Sequence, residues 1–350
     1  MSGRAPLRLA VLFGGRSAEH DVSLASARAV LQHLDPARYD LHLAGITRSG
    51  GWLGAEASLA LLNGQPVLEP GGPPSLPPGT ECVFPVLHGP CGEDGTVQGW
   101  LELLGVPSVG ADTTGSALAM DKSLTKHVLR SSGLPVLPWT DVEAGDFRLD
   151  PAGVCARVVE QRGLPCFVKP ARLGSSIGIS KVESGDAVGP ALEEAFRHGR
   201  YALVEPYYDA RELEIAVLDG DPPLASPVGE IRPRTWYSYE EKYRNSDAQL
   251  LAPAPDLHPR MVERFQELAL AVFGVLRLRG MARVDFFLGR HTGRLVISEV
   301  NTIPGFTAIS MYPKLMALAG VPFGALCDRL IEQATSSREA PQRPAARAAR

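Results

Sequence analysis

The chain is 350 residues long, 45% hydrophobic and 21% charged, with a formal net charge of −4. It is too long for one ordinary core, long enough for two or three small domains, and globular in composition. The mild acidity gives no reason to expect a nucleic-acid or anionic-membrane partner, and no apolar run reaches the length of a spanning helix.

Met1 to Ala10 lacks a basic segment followed by a long apolar core, which predicts no signal peptide. Leu7 to Phe13 is a short apolar run ending in Gly14-Gly15, and a helical pattern runs from Ala18 to Leu34. Strand, glycine turn and helix open a parallel α/β unit. Gly71 to Pro78 reads as a loop, Cys82 to Leu87 as a buried strand, Gln98 to Leu104 as the start of a helix and Val106 to Gly110 as a short strand. An N-terminal α/β domain, residues 1–110, is expected. The five cysteines, Cys82, Cys91, Cys155, Cys166 and Cys327, show no CxxC spacing and read as reduced thiols of a cytoplasmic protein.

Ser116 to Ser132 predicts one helix. Cys166 to Val182 predicts two short strands around a glycine-rich loop, followed by a helix at Ala187 to Arg197 and a strand at Tyr201 to Glu205. Residues 111–205 form a compact α+β middle domain on this reading. In residues 206–335, strands are expected at Glu212 to Leu218, Gly280 to Leu288 and Leu295 to Val300. Helices are expected at Pro259 to Leu276 and Pro322 to Gln333. Glu230 to Leu251 is long, polar and aromatic with little periodicity, which predicts a lid or binding loop. Residues 336–350 carry four Arg and one Glu among Ala and Pro and read as a disordered tail.

The chemistry begins in the third region. Arg283-Val284-Asp285-Phe286-Phe287 and Ile297-Ser298-Glu299-Val300-Asn301 alternate like two strands, with Gly289 and Gly293 in the turn between them. A hairpin brings Asp285, Glu299 and Asn301 to one end of a sheet, a hard-oxygen set that suits Mg²⁺. A solvated acidic face is the plain alternative, and the apolar neighbours argue against it. Gly174-Ser175-Ser176-Ile177-Gly178 follows Phe167-Val168-Lys169-Pro170. Small residues admit phosphate oxygens to backbone N–H groups, and Lys169 supplies charge. It is not a Walker loop, and alone it suits a simple hairpin turn equally well. With the acids it points to a nucleoside triphosphate clamp. Val204-Glu205-Pro206-Tyr207-Tyr208, leading to Arg211-Glu212, offers an acceptor for an adenine amino group and a carboxylate for ribose; an edge strand with exposed acids fits it too.

Lys122 in Ala119-Met120-Asp121-Lys122, Lys169, Glu205 and the Asp285/Glu299/Asn301 set together resemble the three-domain ATP-grasp fold, α/β and α+β, with an N-terminal parallel α/β domain. Gly14-Gly15-Arg16-Ser17-Ala18-Glu19-His20, His88-Gly89-Pro90-Cys91-Gly92-Glu93-Asp94-Gly95 and Glu241-Lys242-Tyr243 narrow the resemblance to the D-alanine–D-alanine ligase family. The resemblance spans residues 7 to 333. It implies that Lys122, Lys169 and Ser176 contact ATP phosphates under the glycine loop. Glu205 and backbone near Tyr207 would read the adenine edge, Tyr207, Trp236 and Phe287 would wall the ring, and Glu212 would hold the ribose. Asp285, Glu299 and Asn301 would hold two Mg²⁺ (or Mn²⁺). Glu19 would hold the ammonium of the first D-alanine with His88 nearby, while Ser310 and the N–H of Met311 would hold the carboxylate of the second. Arg283 and the N–H of Gly305 would form an oxyanion site. Lys242 would reach the transferring phosphoryl group, and Glu19, Ser175 and Tyr243 would be joined by hydrogen bonds.

The implied activity is ATP-dependent ligation of two D-alanines through an acyl phosphate, for the peptidoglycan wall, in a cytoplasmic homodimer with neither nucleic-acid nor membrane partners. Tyr243 can complete a hydrogen-bonded link where Phe could not, which favours the dipeptide over an ester made with D-lactate. A D-alanine–D-lactate or D-serine ligase and a catalytically silent nucleotide-binding regulator are the alternatives. A dinucleotide oxidoreductase fits poorly, because the GxGxxG spacing is absent.

Overall fold

The computed structural model describes residues 5–68, 70–175, 177–232 and 249–336. The first sheet has three parallel strands in the order β2-β1-β3. It is built from β1 (Leu7–Gly14), α1 (His20–His33), β2 (Tyr39–Ile46), α2 (Ala55–Leu62), β3 (Cys82–Pro85) and α3 (Thr96–Leu103). Leu9, Val11 and Phe13 of β1 enter one core, and Ala10 and Leu12 enter another. A strand buried on both faces has to read as a continuous apolar run. β1 ends at Gly14, whose φ of +93° and whose approach to Ile46 exclude a side chain: a Cβ there would lie 2.1 Å from the Ile46 carbonyl oxygen. That turn starts the chain toward Glu19. The expected strand at Val106 to Gly110 is reduced to a single parallel bridge between Val83 and Ser108.

The helix expected over Ser116 to Ser132 is two, α4 (Thr113–Met120) and α5 (Lys122–Ser131). Asp121 divides them. Its side chain accepts the Leu124 N–H at 3.1 Å, so it caps α5. Then come β4 (Thr140–Glu143), α6 (Ala144–Leu149), α7 (Pro151–Arg162), β5 (Cys166–Pro170), β6 (Ser180–Val182), α8 (Val188–Phe196) and β7 (Tyr201–Pro206). The strands form an antiparallel sheet in the order β4-β7-β5-β6, packed on α7 and α8 through Val158, Val168, Leu192 and Val204. β5 and β6 flank the glycine-rich loop, as expected.

The third sheet holds β8 (Ala210–Leu218), β9 (Leu224–Ala225), β10 (Gly229–Arg232) and β11 (Gln249–Leu251); α9 (Pro259–Val275) follows, then β12 (Met281–Gly289) and β13 (Leu295–Asn301). Its order is β11-β10-β8-β12-β13, with β9 beside β8. α10 (Met311–Leu318) and α11 (Phe323–Ser336) close the chain. The stretch expected to be a lid begins and ends as paired strands, with Glu230 opposite Leu251; residues 233–248 lie outside the described residues. So do 337–350 of the expected tail, whose first residue, Ser336, belongs to α11. One face of the third sheet buries Val284, Phe286 and Ile297 against α4, α5 and α9. Tyr312 and Leu315 of α10 and Leu326 and Leu330 of α11 share a core with Phe13 and Phe84 of the first sheet. That shared core carries the 302–310 loop to the N-terminal turns. No helix among the described residues is long and apolar enough to cross a membrane.

Candidate active site

The β12–β13 hairpin is antiparallel, with Asp285 opposite Glu299, Arg283 opposite Asn301 and a bulge after Asp285. Alternation sends Val284 and Phe286 into the core and leaves Arg283, Asp285 and Phe287 half-buried on the other face. Asp285 is gripped by the Arg283 fork at 2.7 and 2.8 Å and accepts from Asn301 Nδ2 at 3.0 Å. Glu299 accepts from Lys122 Nζ at 2.7 Å. The three expected metal residues are therefore neighbours, and each acid already meets a cation. On β8, Phe287 faces Glu212 across the pairing and Asp285 faces Glu214. Glu214 is buried, 3.3 Å from Arg283 Nε, and was missed in the sequence because only the β8–β12 register reveals it. Burial works against the Arg283 charge, but Asp285 and Glu214 overcome it and raise the guanidinium well above its usual range.

Helix α5 joins this hairpin to the middle sheet. Lys122 at its first turn also donates to the Leu173 carbonyl at 2.7 Å, at the edge of the glycine-rich loop. Lys169 on β5 lies opposite Leu203, next to Glu205 on β7, and its Nζ is 2.7 Å from Glu205 Oε2. A second α5 residue, Lys126, places Nζ 2.5 Å from Glu205 Oε1. Burial would raise the Glu205 carboxyl, yet Lys169 and Lys126 hold it down at about 2. Lys126 was missed in the sequence; its only signal is the i,i+4 spacing from Lys122. Tyr207 is exposed and stacks on Phe167, ring centroids 6.2 Å apart. Its backbone N–H donates to the Pro165 carbonyl at 2.9 Å. Phe167, on the same side of β5 as Lys169, is a further ring that the sequence reading passed over.

The N-terminal loops meet the glycine-rich loop at Glu19. A Cβ added at Gly89 would lie 3.0 Å from Glu19 Oε2, and one at Gly174 would lie 3.7 Å from it. The carboxylate thus sits between the His88 loop and the glycine-rich loop, and Ser175 follows Gly174 in a left-handed conformation, φ 57°. His88 Nδ1 donates to the Ile303 carbonyl at 2.9 Å, so the other nitrogen is the one 3.0 Å from Ser26 Oγ. Ser26 Oγ accepts from the Phe306 N–H at 3.3 Å. These bonds fasten the first domain to the loop bearing Gly305. Burial opposes charge on His88, but Glu93, 3.6 Å away, and Glu19 raise its pKa. Glu93 itself is raised by burial and by Glu19. In the next turn Ser310 Oγ accepts from the Thr307 N–H at 3.1 Å, and a Cβ at Gly305 would lie 3.1 Å from it. Met311 opens α10, so its N–H points out of a helix start. Ser176, Trp236, Lys242 and Tyr243 lie outside the described residues.

Residues 8–111 match the family described as D-ala D-ala ligase N-terminus, and residues 128–332 match D-ala D-ala ligase C-terminus. A D-alanine–D-alanine ligase of Deinococcus radiodurans is 44% identical over 340 residues, covering 95% of this chain and 99% of that one. The D-alanine-D-alanine ligase structure from Coxiella burnetii superposes with a TM-score of 0.82 at 36% identity, covering 96% of each chain. A D-Ala:D-Ser ligase structure from Enterococcus faecalis gives 0.80 at 33%, covering 94% of this chain and 99% of that one.

Proposed function

The chain belongs to the D-alanine–D-alanine ligase family, whose fold is ATP-grasp, and from that premise we propose that it joins two D-alanines into D-alanyl-D-alanine. ATP is converted to ADP and phosphate, and the dipeptide feeds peptidoglycan synthesis. The observation that carries this reading is the reach of Lys122, which touches both Glu299 of the acid hairpin and the backbone of the glycine-rich loop. One lysine spanning those two elements suits a triphosphate laid between them.

Joining a carboxylate to an amine in water is uphill, so the carboxylate of the first D-alanine has to be activated. It takes the γ-phosphoryl group of ATP to give an acyl phosphate; the amine of the second D-alanine attacks the acyl carbon, and phosphate leaves. Crowded negative charge is the obstacle to the first step. Lys122 and Lys169 hold phosphates, the loop with Ser175 and Ser176 folds over them, and Lys242 approaches the transferred group. Glu212 holds the ribose, Glu205 reads adenine, and Tyr207, Trp236 and Phe287 enclose the ring. Asp285, Glu299 and Asn301 offer carboxylate and amide oxygens on adjacent strands, a donor set that fits two Mg²⁺ or Mn²⁺. Bound there, the ions would neutralise charge on the phosphoryl group. Arg283, always charged and fork-shaped, and the Gly305 N–H receive the tetrahedral oxyanion. Glu19 holds the first ammonium beside His88, and Ser310 with the Met311 N–H holds the second carboxylate. Glu19, Ser175 and Tyr243 close the site against water, which would hydrolyse the acyl phosphate.

The same reading divides the chain into a substrate-binding unit (1–110), a central unit (111–205) and a C-terminal unit (206–335), with the lid at 230–251 and the tail at 336–350, in a cytoplasmic homodimer. The free cysteines support the location. Purified protein with ATP and Mg²⁺ is offered D-alanine alone and D-alanine with D-lactate or D-serine near neutral pH, and the products are identified by mass. D-Alanyl-D-alanine is the expected main product. Faster formation of the ester or the mixed dipeptide would overturn the specificity, and no D-alanine-dependent phosphate release would overturn the ligase reading.

A further inference from the structure

Lys126 is a buried charge without a task in the reaction described above. Its side chain is 4% exposed, its Nζ is 2.5 Å from Glu205 Oε1, and it lies over the Trp139 ring at 5.7 Å. The other carboxylate oxygen of Glu205 belongs to Lys169 at 2.7 Å. Other charges also act on this cluster: Lys122 on α5, Glu212 on β8 and Glu299 on β13. Burial pushes the Lys126 ammonium down, and its two neighbouring lysines push it further, against the pull of Glu205.

The two tasks given to Lys169 and Glu205 conflict. Lys169 is to hold phosphates, yet its ammonium rests on the carboxylate that is to read adenine. A carboxylate as buried as Glu205 would take up a proton if stripped of cations. We propose that Lys126 is a positioning residue for nucleobase recognition, the counter-ion that stays on Glu205 when a triphosphate draws Lys169 away. The inference rests on the reading of Glu205 as the acceptor for the adenine amino group. Lys126 touches no substrate. It keeps Glu205 ionised, so that a spare lone pair of the carboxylate accepts from the base. A protonated Glu205 would instead donate, and would suit a ring with a carbonyl in place of the amino group.

Inosine triphosphate is that ring, so the test compares it with ATP. The full chain with Mg²⁺ and no D-alanine is titrated with each nucleotide by calorimetry at pH 6 and pH 8.5, and steady-state rates are measured beside it. The parent is expected to favour ATP at both pH values. Lys126→Met is expected to weaken ATP binding about tenfold or more. It should narrow the preference over inosine triphosphate, more at pH 6 than at pH 8.5, and raise KM for ATP more than it lowers kcat. Lys126→Arg should restore the preference. Lys126→Gln reads the same ratio should the Met variant not fold. Glu205→Gln is the control, expected to narrow the preference equally at both pH values. If it does so while Lys126→Met and Lys126→Gln keep the parental preference, the role of Lys126 is overturned alone. If Glu205→Gln changes nothing, the reading of Glu205 fails and this proposal with it.

Discussion

The β12–β13 hairpin and the Glu19–His88–Glu93 cluster both gather acids, and they treat the charge in opposite ways. In the hairpin each acid has a strong base beside it: Arg283 on Asp285 at 2.7 Å and Lys122 on Glu299 at 2.7 Å. In the N-terminal cluster Glu19 and Glu93 press on the same imidazole, and Glu93 is pushed upward by burial and by Glu19. A balanced set is stable when empty and has to exchange partners when ligands arrive. In the N-terminal cluster burial and the two carboxylates instead shift the proton affinities of Glu93 and His88 upward. The difference teaches that acids can be buried in two ways, by pairing each with a strong base or by letting neighbours raise one another's proton affinity.

The sharpest way to break this contrast is to remove a base from the balanced side. Arg283→Ala is expected to lower D-alanine-dependent phosphate release at least a hundredfold, the usual effect of losing an oxyanion donor, while ATP binding measured by calorimetry persists. Its melting temperature should also fall, because Asp285 and the buried Glu214 lose their cation. Unchanged turnover would remove Arg283 from the oxyanion site. Next in size is Asp285→Asn. It should raise the Mg²⁺ concentration giving half-maximal rate about tenfold, the order expected for weakening a metal site, and EDTA should stop turnover in the parent. An unshifted Mg²⁺ curve would assign Asp285 to Arg283 alone.

The two regions were also unequally legible. Strand alternation alone placed Asp285 and Phe287 on one face of their strand and Glu299 and Asn301 on one face of the next, because a period of two is written into consecutive residues. It could not show Glu214, which reaches Arg283 through the β8 pairing across roughly seventy residues of chain. Nor did helical pattern reveal the break at Asp121, since Met120 and Lys122 both suit a helix and only the capping side chain divides them. In the N-terminal cluster, Glu19 and His88 came from a family resemblance. Their meeting with Gly174 and Ile303 depends on loops, and loops carry no periodicity.

The raised groups of the N-terminal cluster make a prediction about pH. His88 and Glu93 both have pKa values raised in the folded protein. A group raised on folding stabilises below its unfolded pKa, about 4.3 for Glu and 6.5 for His, and that contribution is lost as pH rises through the folded value. Glu205 acts in a separate window, between its ordinary range and about 2. Urea midpoints should therefore fall between pH 5 and pH 8, and Glu93→Gln should flatten the fall, since it removes one titrating group and the chief influence raising the other. A slope equal to the parent's would show that the cluster is not under charge strain.

The smallest expected effect tests the helix that joins the hairpin to the middle sheet. α5 carries Lys122 and Lys126 and is started by Asp121, whose Oδ1 caps the Leu124 N–H and whose Oδ2 accepts from Arg172 at 2.7 Å. Arg172 is largely exposed, so the ion pair adds little and the cap dominates. Asp121→Ala should cost about 1 kcal/mol of stability. Fraying the first turn of α5 loosens Lys122 before Lys126, because the cap acts on the turn that Lys122 begins. KM for ATP should accordingly rise only a fewfold, and the preference for ATP over inosine triphosphate should hold. Loss of that preference together with the small stability change would mean that the whole of α5 moves as one body, and that the effects of Lys122 and Lys126 cannot be separated.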